Sequence, residues 1–129
     1  MKKALLPTIA IALLFAAAPL LASDWVGTYD GDDQGVIKGT LNETVDPPIY
    51  EGTWESYLDY PHNYGTWYGR AEEIVNGWFV VREGEIYDDE GTLVGHWSGS
   101  FPPSHIDALA SGDWWKFNCW NGTWSAWRP

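Results

Sequence analysis

The chain has 129 residues, with eighteen acidic side chains against seven lysines and arginines and a formal net charge of −11 at pH 7. That balance repels phosphate backbones and anionic headgroups, which excludes a nucleic-acid role and docking on an anionic membrane surface. One cysteine, Cys119, excludes an intramolecular disulfide, so the core must rest on ten tryptophans, seven tyrosines and the phenylalanines.

In chain order, Met1-Lys2-Lys3 opens with charge, residues 4–21 are almost unbroken apolar sequence, and Leu20-Leu21-Ala22 before Ser23 offers a small-residue cleavage point. The pattern predicts a signal peptide over residues 1–22 and a single secreted or cell-envelope domain over residues 23–129. An uncleaved N-terminal anchor, with the domain on the extracytoplasmic side, is the alternative, because the apolar run approaches the roughly 18 residues of a membrane span. Without Lys2 and Lys3, only Lys38, Arg70, Arg82, Lys116 and Arg128 oppose the eighteen acids, and the charge moves from −11 to −13.

Four hairpins follow. Residues 24–29 pair with 36–42 across Asp30-Gly31-Asp32-Asp33-Gln34-Gly35, and residues 50–59 pair with 65–74 across Pro61-His62-Asn63. Residues 77–87 pair with 92–101 across Asp88-Asp89-Glu90-Gly91. Residues 104–111 are predicted to form a short helix, with a Ser-x-x-Asp cap from Ser104 to Asp107 and a stop at Gly112. The fourth hairpin pairs 114–120 with 123–127 across Asn121-Gly122, a type I′ turn signal. Eight short strands joined by tight turns read as an all-β antiparallel meander, closing into a small barrel. An elongated single-layer ladder of hairpins is the alternative. A membrane-spanning barrel is disfavoured because several strands fall short of the roughly 9 to 11 residues it needs.

A repeat underlies the hairpins. GVIKGTL (35–41), GTWYGRA (65–71) and GHWSGSF (95–101) share glycines four positions apart and recur every thirty residues. Period-two alternation puts Gly35, Ile37, Gly39 and Leu41 on one face, then Gly65, Trp67, Gly69 and Ala71, then Gly95, Trp97, Gly99 and Phe101. A glycine repeated on a core face implies that a neighbouring tryptophan lies over bare backbone. Trp54 and Trp67 are both assigned to that interior.

Tyr50-Glu51-Gly52-Thr53-Trp54 resembles the opening of a MORN repeat, and Gly65-Thr66-Trp67-Tyr68 is similar to the first strand of avidin-like barrels. Each likeness spans four or five residues, and neither carries a function to this chain.

Catalytic chemistry is sparse. His62 falls in a turn, His96 on a polar strand face and His105 in the expected helix, so no metal triad or nucleophile-base pair forms. Ser98 and Ser100 lack the strand-turn-helix setting of a nucleophile elbow. Glu72-Glu73 and Glu83 with Glu85 are carboxylate pairs, the second at a glycosidase-like separation of roughly 7 Å along a strand. The turn from Asp30 resembles the start of a calcium-binding EF-hand loop but has Gln34 and Leu41 where ligands are needed, so an acidic turn is the expectation. Cys119 is expected to be a buried, inert thiol. Asn42-Glu43-Thr44 and Asn121-Gly122-Thr123 match the glycosylation sequon.

The last hairpin holds the expected ligand site. Pairing about Asn121-Gly122 turns Trp115, Phe117 and Cys119 to the core with Trp124 and Ala126, leaving Trp114, Trp120 and Trp127 beside Lys116 and Asn118 on the other face. Rings interleaved with donors suit a carbohydrate or another ring-bearing small molecule. The expected function is a secreted, non-enzymatic β-domain binding such a ligand through Trp114, Trp120, Trp127, Lys116 and Asn118, with no cofactor or metal. A structural cell-envelope protein that self-associates through the same surface is the alternative, and a glycosidase-type hydrolase is a third reading.

Overall fold

The computed structural model describes residues 23–42 and 44–129, so the predicted signal peptide lies outside the described residues. Nine strands follow one another: β1 (Ser23–Gly31), β2 (Gly35–Asn42), β3 (Ile49–Ser56), β4 (Tyr64–Arg70), β5 (Glu73–Val75), β6 (Trp78–Asp88), β7 (Leu93–Phe101), β8 (Ala110–Lys116) and β9 (Asn121–Trp127). Sequence neighbours other than β4 and β5 pair antiparallel, β1 pairs with β9, and β4 pairs with β6, which closes eight strands into a barrel. Closure removes the open sheet edges that an eight-strand meander would otherwise expose. The ninth strand, β5, was not expected and lies outside the barrel against the start of β6, with Glu73 opposite Val80. A register shift between Val81 and Gly84 lets β6 serve both partners: its first residues pair with β5, and residues 85–88 pair with β4.

The repeat face is the interior. Leu41, Ala71, Trp97 and Phe101 are buried there with Trp25, Tyr50, Trp54, Trp114 and Trp124. Three of the repeated glycines underlie rings as expected: Gly39 lies under Trp67, Gly69 under Trp97 and Gly99 under Trp124. The same rings donate their indole N–H groups to backbone carbonyls, Trp67 to Thr53 at 3.0 Å, Trp97 to Tyr68 at 3.1 Å and Trp124 to Ser98 at 2.9 Å. Trp54 and Trp114 do likewise, to Tyr87 and Asp30. A missing Cβ thus lets a large ring bury its face while its polar edge stays satisfied, and edge-to-face contacts such as Trp67 on Trp97 and Trp97 on Trp124 fill the bore. The outward positions of β3, Glu51, Thr53 and Glu55, are exposed. Membrane-spanning barrels turn their apolar band outward instead.

Two expectations are corrected. Residues 104–111 form no helix: Ile106 N–H bonds to Pro103 O in a single turn, and β8 already begins at Ala110, which is completely buried opposite Ala126. A helix this short is marginal alone. Here the loop is held by Arg128, whose guanidinium donates to the Pro103 and Ile106 carbonyls and covers the Trp25 ring at 4.7 Å.

The last hairpin does not turn at Asn121-Gly122. Its loop is residues 117–120, closed by Lys116 N–H to Trp120 O and Cys119 N–H to Lys116 O, with Cys119 at φ +73°. Trp115 therefore pairs with Asn121 and Trp114 with Gly122. The face of β9 is as expected, with Trp124 and Ala126 inside, but β8 is inverted. Cys119, expected to be buried, is exposed in the turn. The reason is that β9 pairs with β1 as well as β8: Asn121 exchanges bonds with Asp32, and Gly122 sits opposite Gly31 and beneath the Trp114 ring. Two ladders hold Asn121-Gly122 extended, so neither residue is free to turn.

Candidate functional site

The four hairpin loops, 32–34, 57–63, 89–92 and 117–120, gather at one end of the barrel. They are tied together there. Tyr57 N–H bonds to Gln34 O, Asp32 bonds to Asn121, His62 Nδ1 meets Asp89 at 2.7 Å, and Tyr60 packs edge-on against Trp120 at 5.6 Å.

Asp33 anchors this end from inside. Its side chain is 1% exposed, yet both carboxylate oxygens are satisfied. Oδ1 accepts Gln34 N–H at 2.9 Å and the Ser56 hydroxyl at 2.6 Å, and Oδ2 accepts the hydroxyls of Tyr60 at 2.7 Å and Tyr29 at 3.3 Å. Burial, reinforced by the neighbouring carboxylate, pushes both tyrosines far above the ordinary phenolic range, so they remain donors. The cluster joins the first two hairpins. Sequence reasoning passed over Asp33 because it is one of three acids in an ordinary acidic turn, and its partners lie 23 and 27 positions away. The other turn acids are also engaged: Asp30 accepts from Gly31 and Gln34, and Asp32 from Asn121.

Beside this cluster, Lys116 projects inward. Its ammonium stands 4.1 Å above the Trp54 ring, next to an apolar cavity of about 70 Å³ walled by Trp54, Trp67, Trp97, Trp114 and Trp124. Burial pulls its pKa down, only partly countered by the charges of Asp33 and Asp88.

The outer wall holds a second arrangement. The register runs from Tyr68 across to Glu85, His96, Trp115 and Asn121 on five successive strands of the closed sheet. The His96 ring lies 6.2 Å from Trp115 and 5.7 Å from Phe117, and those two rings are 39% and 61% exposed. His96 Nδ1 donates to Gly84 O at 3.0 Å, and Tyr87 donates to Glu85 at 2.5 Å, which orients the flanking polar groups.

The expected ligand residues are dispersed by the β8 inversion. Trp114 is inside the barrel, 5% exposed. Lys116 is inside near the loop end, Trp120 is half-buried against Tyr60, and Asn118 lies in the loop accepting from Trp120 N–H. Trp127 is exposed on the wall, but at the far end of β9, about 20 Å from the Trp115 level at the usual strand rise. The rings that do share an exposed face are Trp115 and Phe117. Their signal was present in the sequence as the alternate parity of the same strand.

His62, Asp88 and Asp89 bring one ligand atom each within 4.8 Å of one another. Asp88 already caps its own turn by accepting Glu90 and Thr92 N–H, so this group reads as a clasp between two loops. One carboxylate oxygen of Glu85, Oε1, is likewise engaged, by the Tyr87 hydroxyl.

No protein-family model, curated protein or solved structure matches this chain.

Proposed function

We propose that this chain is an exported, non-enzymatic binding module whose closed barrel presents a ring-stacking surface at His96, Trp115 and Phe117. Carbohydrate is the favoured ligand class. One observation carries the reading: the barrel seats Trp54, Trp67, Trp97, Trp114 and Trp124 in its bore, each with its indole N–H bonded, while Trp115 and Phe117 lie together outside against a histidine. Pyranose faces stack on such rings, and Glu85, Tyr87, His96 and Asn121 on adjacent strands supply donors and acceptors that fix orientation.

The test compares wild type with Trp115→Ala and Phe117→Ala in titrations with soluble oligosaccharides, read by intrinsic fluorescence, with near-ultraviolet circular dichroism as the fold control. Saturable binding by wild type and its loss in folded variants support the reading. Equal binding by all three proteins, or no glycan response from wild type, counts against it. The same exposed rings also favour self-association as a second reading. Sedimentation velocity separates the two: concentration-dependent assembly lost in the same variants, without a glycan response, favours an envelope interaction protein.

A further inference from the structure

The loop end of the bore has a feature the outer wall does not explain. Lys116 is carried inward by the alternation of β8, and its ammonium has an aromatic face but no acceptor. Among the described residues the ion pairs are His62–Asp89 and Arg82–Glu73, and Lys116 Nζ donates no hydrogen bond. The nearest carboxylates act on it only through space. Both oxygens of Asp33 are committed to Gln34, Ser56, Tyr29 and Tyr60, and Asp88 Oδ1 caps its own turn, with no ion pair from that carboxylate to Lys116. A cation–π contact compensates only part of what a half-buried charge loses in hydration.

The cavity beside it limits what can supply the missing charge. At about 70 Å³ it is about half the roughly 150 Å³ of an apolar cavity that takes a benzene ring, which suits a ligand of a few heavy atoms. A hexose is therefore too large for the bore. Its walls are indole faces, which disfavour a strongly hydrated inorganic ion and favour a short hydrocarbon body.

We propose that the loop end of the barrel binds a short-chain monocarboxylate, with its carboxylate on Lys116 Nζ and its alkyl end among Trp54, Trp114 and Trp124. Formate, acetate and propionate span the size range. The site is independent of the outer-wall surface, since Trp115 and Phe117 do not line the cavity.

The probe is sodium acetate titrated into the full protein at constant ionic strength, read by tryptophan fluorescence and by ligand-observed NMR. Acetamide serves as the isosteric neutral compound and sodium chloride as the inorganic anion. The expected result is saturable acetate binding in the millimolar range, with acetamide at least about tenfold weaker and chloride without saturable effect. Lys116→Met, which keeps the apolar stem, is expected to lose acetate binding by a similar factor, and Lys116→Arg to retain part of it. The comparison of acetate with acetamide on wild type stands even if Lys116→Met does not fold. Equal binding of acetate and acetamide, an equivalent chloride effect, no saturable response to acetate, or unchanged binding by folded Lys116→Met overturns the proposal.

Discussion

Gly69→Ala tests whether ring-over-glycine packing holds the barrel together. A Cβ at Gly69 would stand 2.5 Å from Trp97 Cζ2, 2.9 Å from Val81 Cγ1 and 3.0 Å from Trp97 Cη2, where ordinary contact begins at 3.4 Å. The ring must retreat by nearly 1 Å, yet Trp67, Phe101 and Trp124 all pack edge-on against it at centroid distances of 5.5 to 6.2 Å. Overpacking of this kind costs about 1 to 3 kcal/mol. Displacing Trp97 also strains its bond to the Tyr68 carbonyl, worth about 1 kcal/mol, while the reduced freedom of alanine in the unfolded chain returns about 0.4 to 1 kcal/mol. The net expectation is a loss of about 1 to 3.5 kcal/mol, a substantial share of the roughly 5 to 15 kcal/mol typical of a domain. Equilibrium urea unfolding followed by tryptophan fluorescence measures it, with an unchanged denaturant slope as the check on two-state behaviour. In a Trp97→Phe background, which removes the second ring, Gly69→Ala is expected to cost less than half as much. Stability of Gly69→Ala within about 0.5 kcal/mol of wild type, or an undiminished cost in that background, refutes the packing argument.

Asp33→Ala removes the acceptor shared by Tyr29, Tyr60 and Ser56 and should cost about 3 kcal/mol or more, opening residues 57–63 to limited proteolysis. A loss below about 1 kcal/mol would mean the cluster is not what pins that loop. Alkali should destabilise the barrel through Tyr29 and Tyr60. Their pKa values are raised by burial, so stability is complete below about pH 10, where the unfolded chain titrates, and falls as pH rises further, by up to about 1.4 kcal/mol per pH unit for each tyrosine. Urea midpoints between about pH 9 and pH 12 should decline less steeply for Tyr29→Phe than for wild type, and parallel declines would contradict this. His62 keeps its proton above its ordinary range because of its bond to the Asp89 carboxylate. Its cross-loop attraction is therefore present at low pH and lost as pH rises through that elevated value. An NMR titration should show the imidazole returning toward the ordinary value in Asp89→Asn, with no stability change expected at so exposed a pair.

The face expected to bind and the face left exposed differ by a single step along one strand, and the reason lies in residues 110–127. Trp114 and Trp115 are adjacent, so alternation puts one tryptophan on each side of β8 whichever parity is chosen, and hydrophobicity does not decide between them. Asn121-Gly122 favoured a turn on local grounds, but β1 and β8 both claim those residues, and burying Trp114 above Gly122 outweighs a turn preference. The short helix fails for a similar reason: Ala110 and Ser111 are more useful to the chain in two ladders than in an isolated turn of helix.

The first three hairpin turns, the glycine face and the placing of Trp54 and Trp67 inside follow from patterns that are local along the chain. Strand alternation, turn residues and a thirty-residue glycine period each constrain their own few residues and need no knowledge of the far end. Closure through β4 and β6 agrees with the expected barrel, but the parity of β8, the burial of Asp33 and the isolation of Lys116 over Trp54 depend on partners tens of residues away. Those features arise only when the ring of strands is complete, because closure determines which side of each strand has no water left to face.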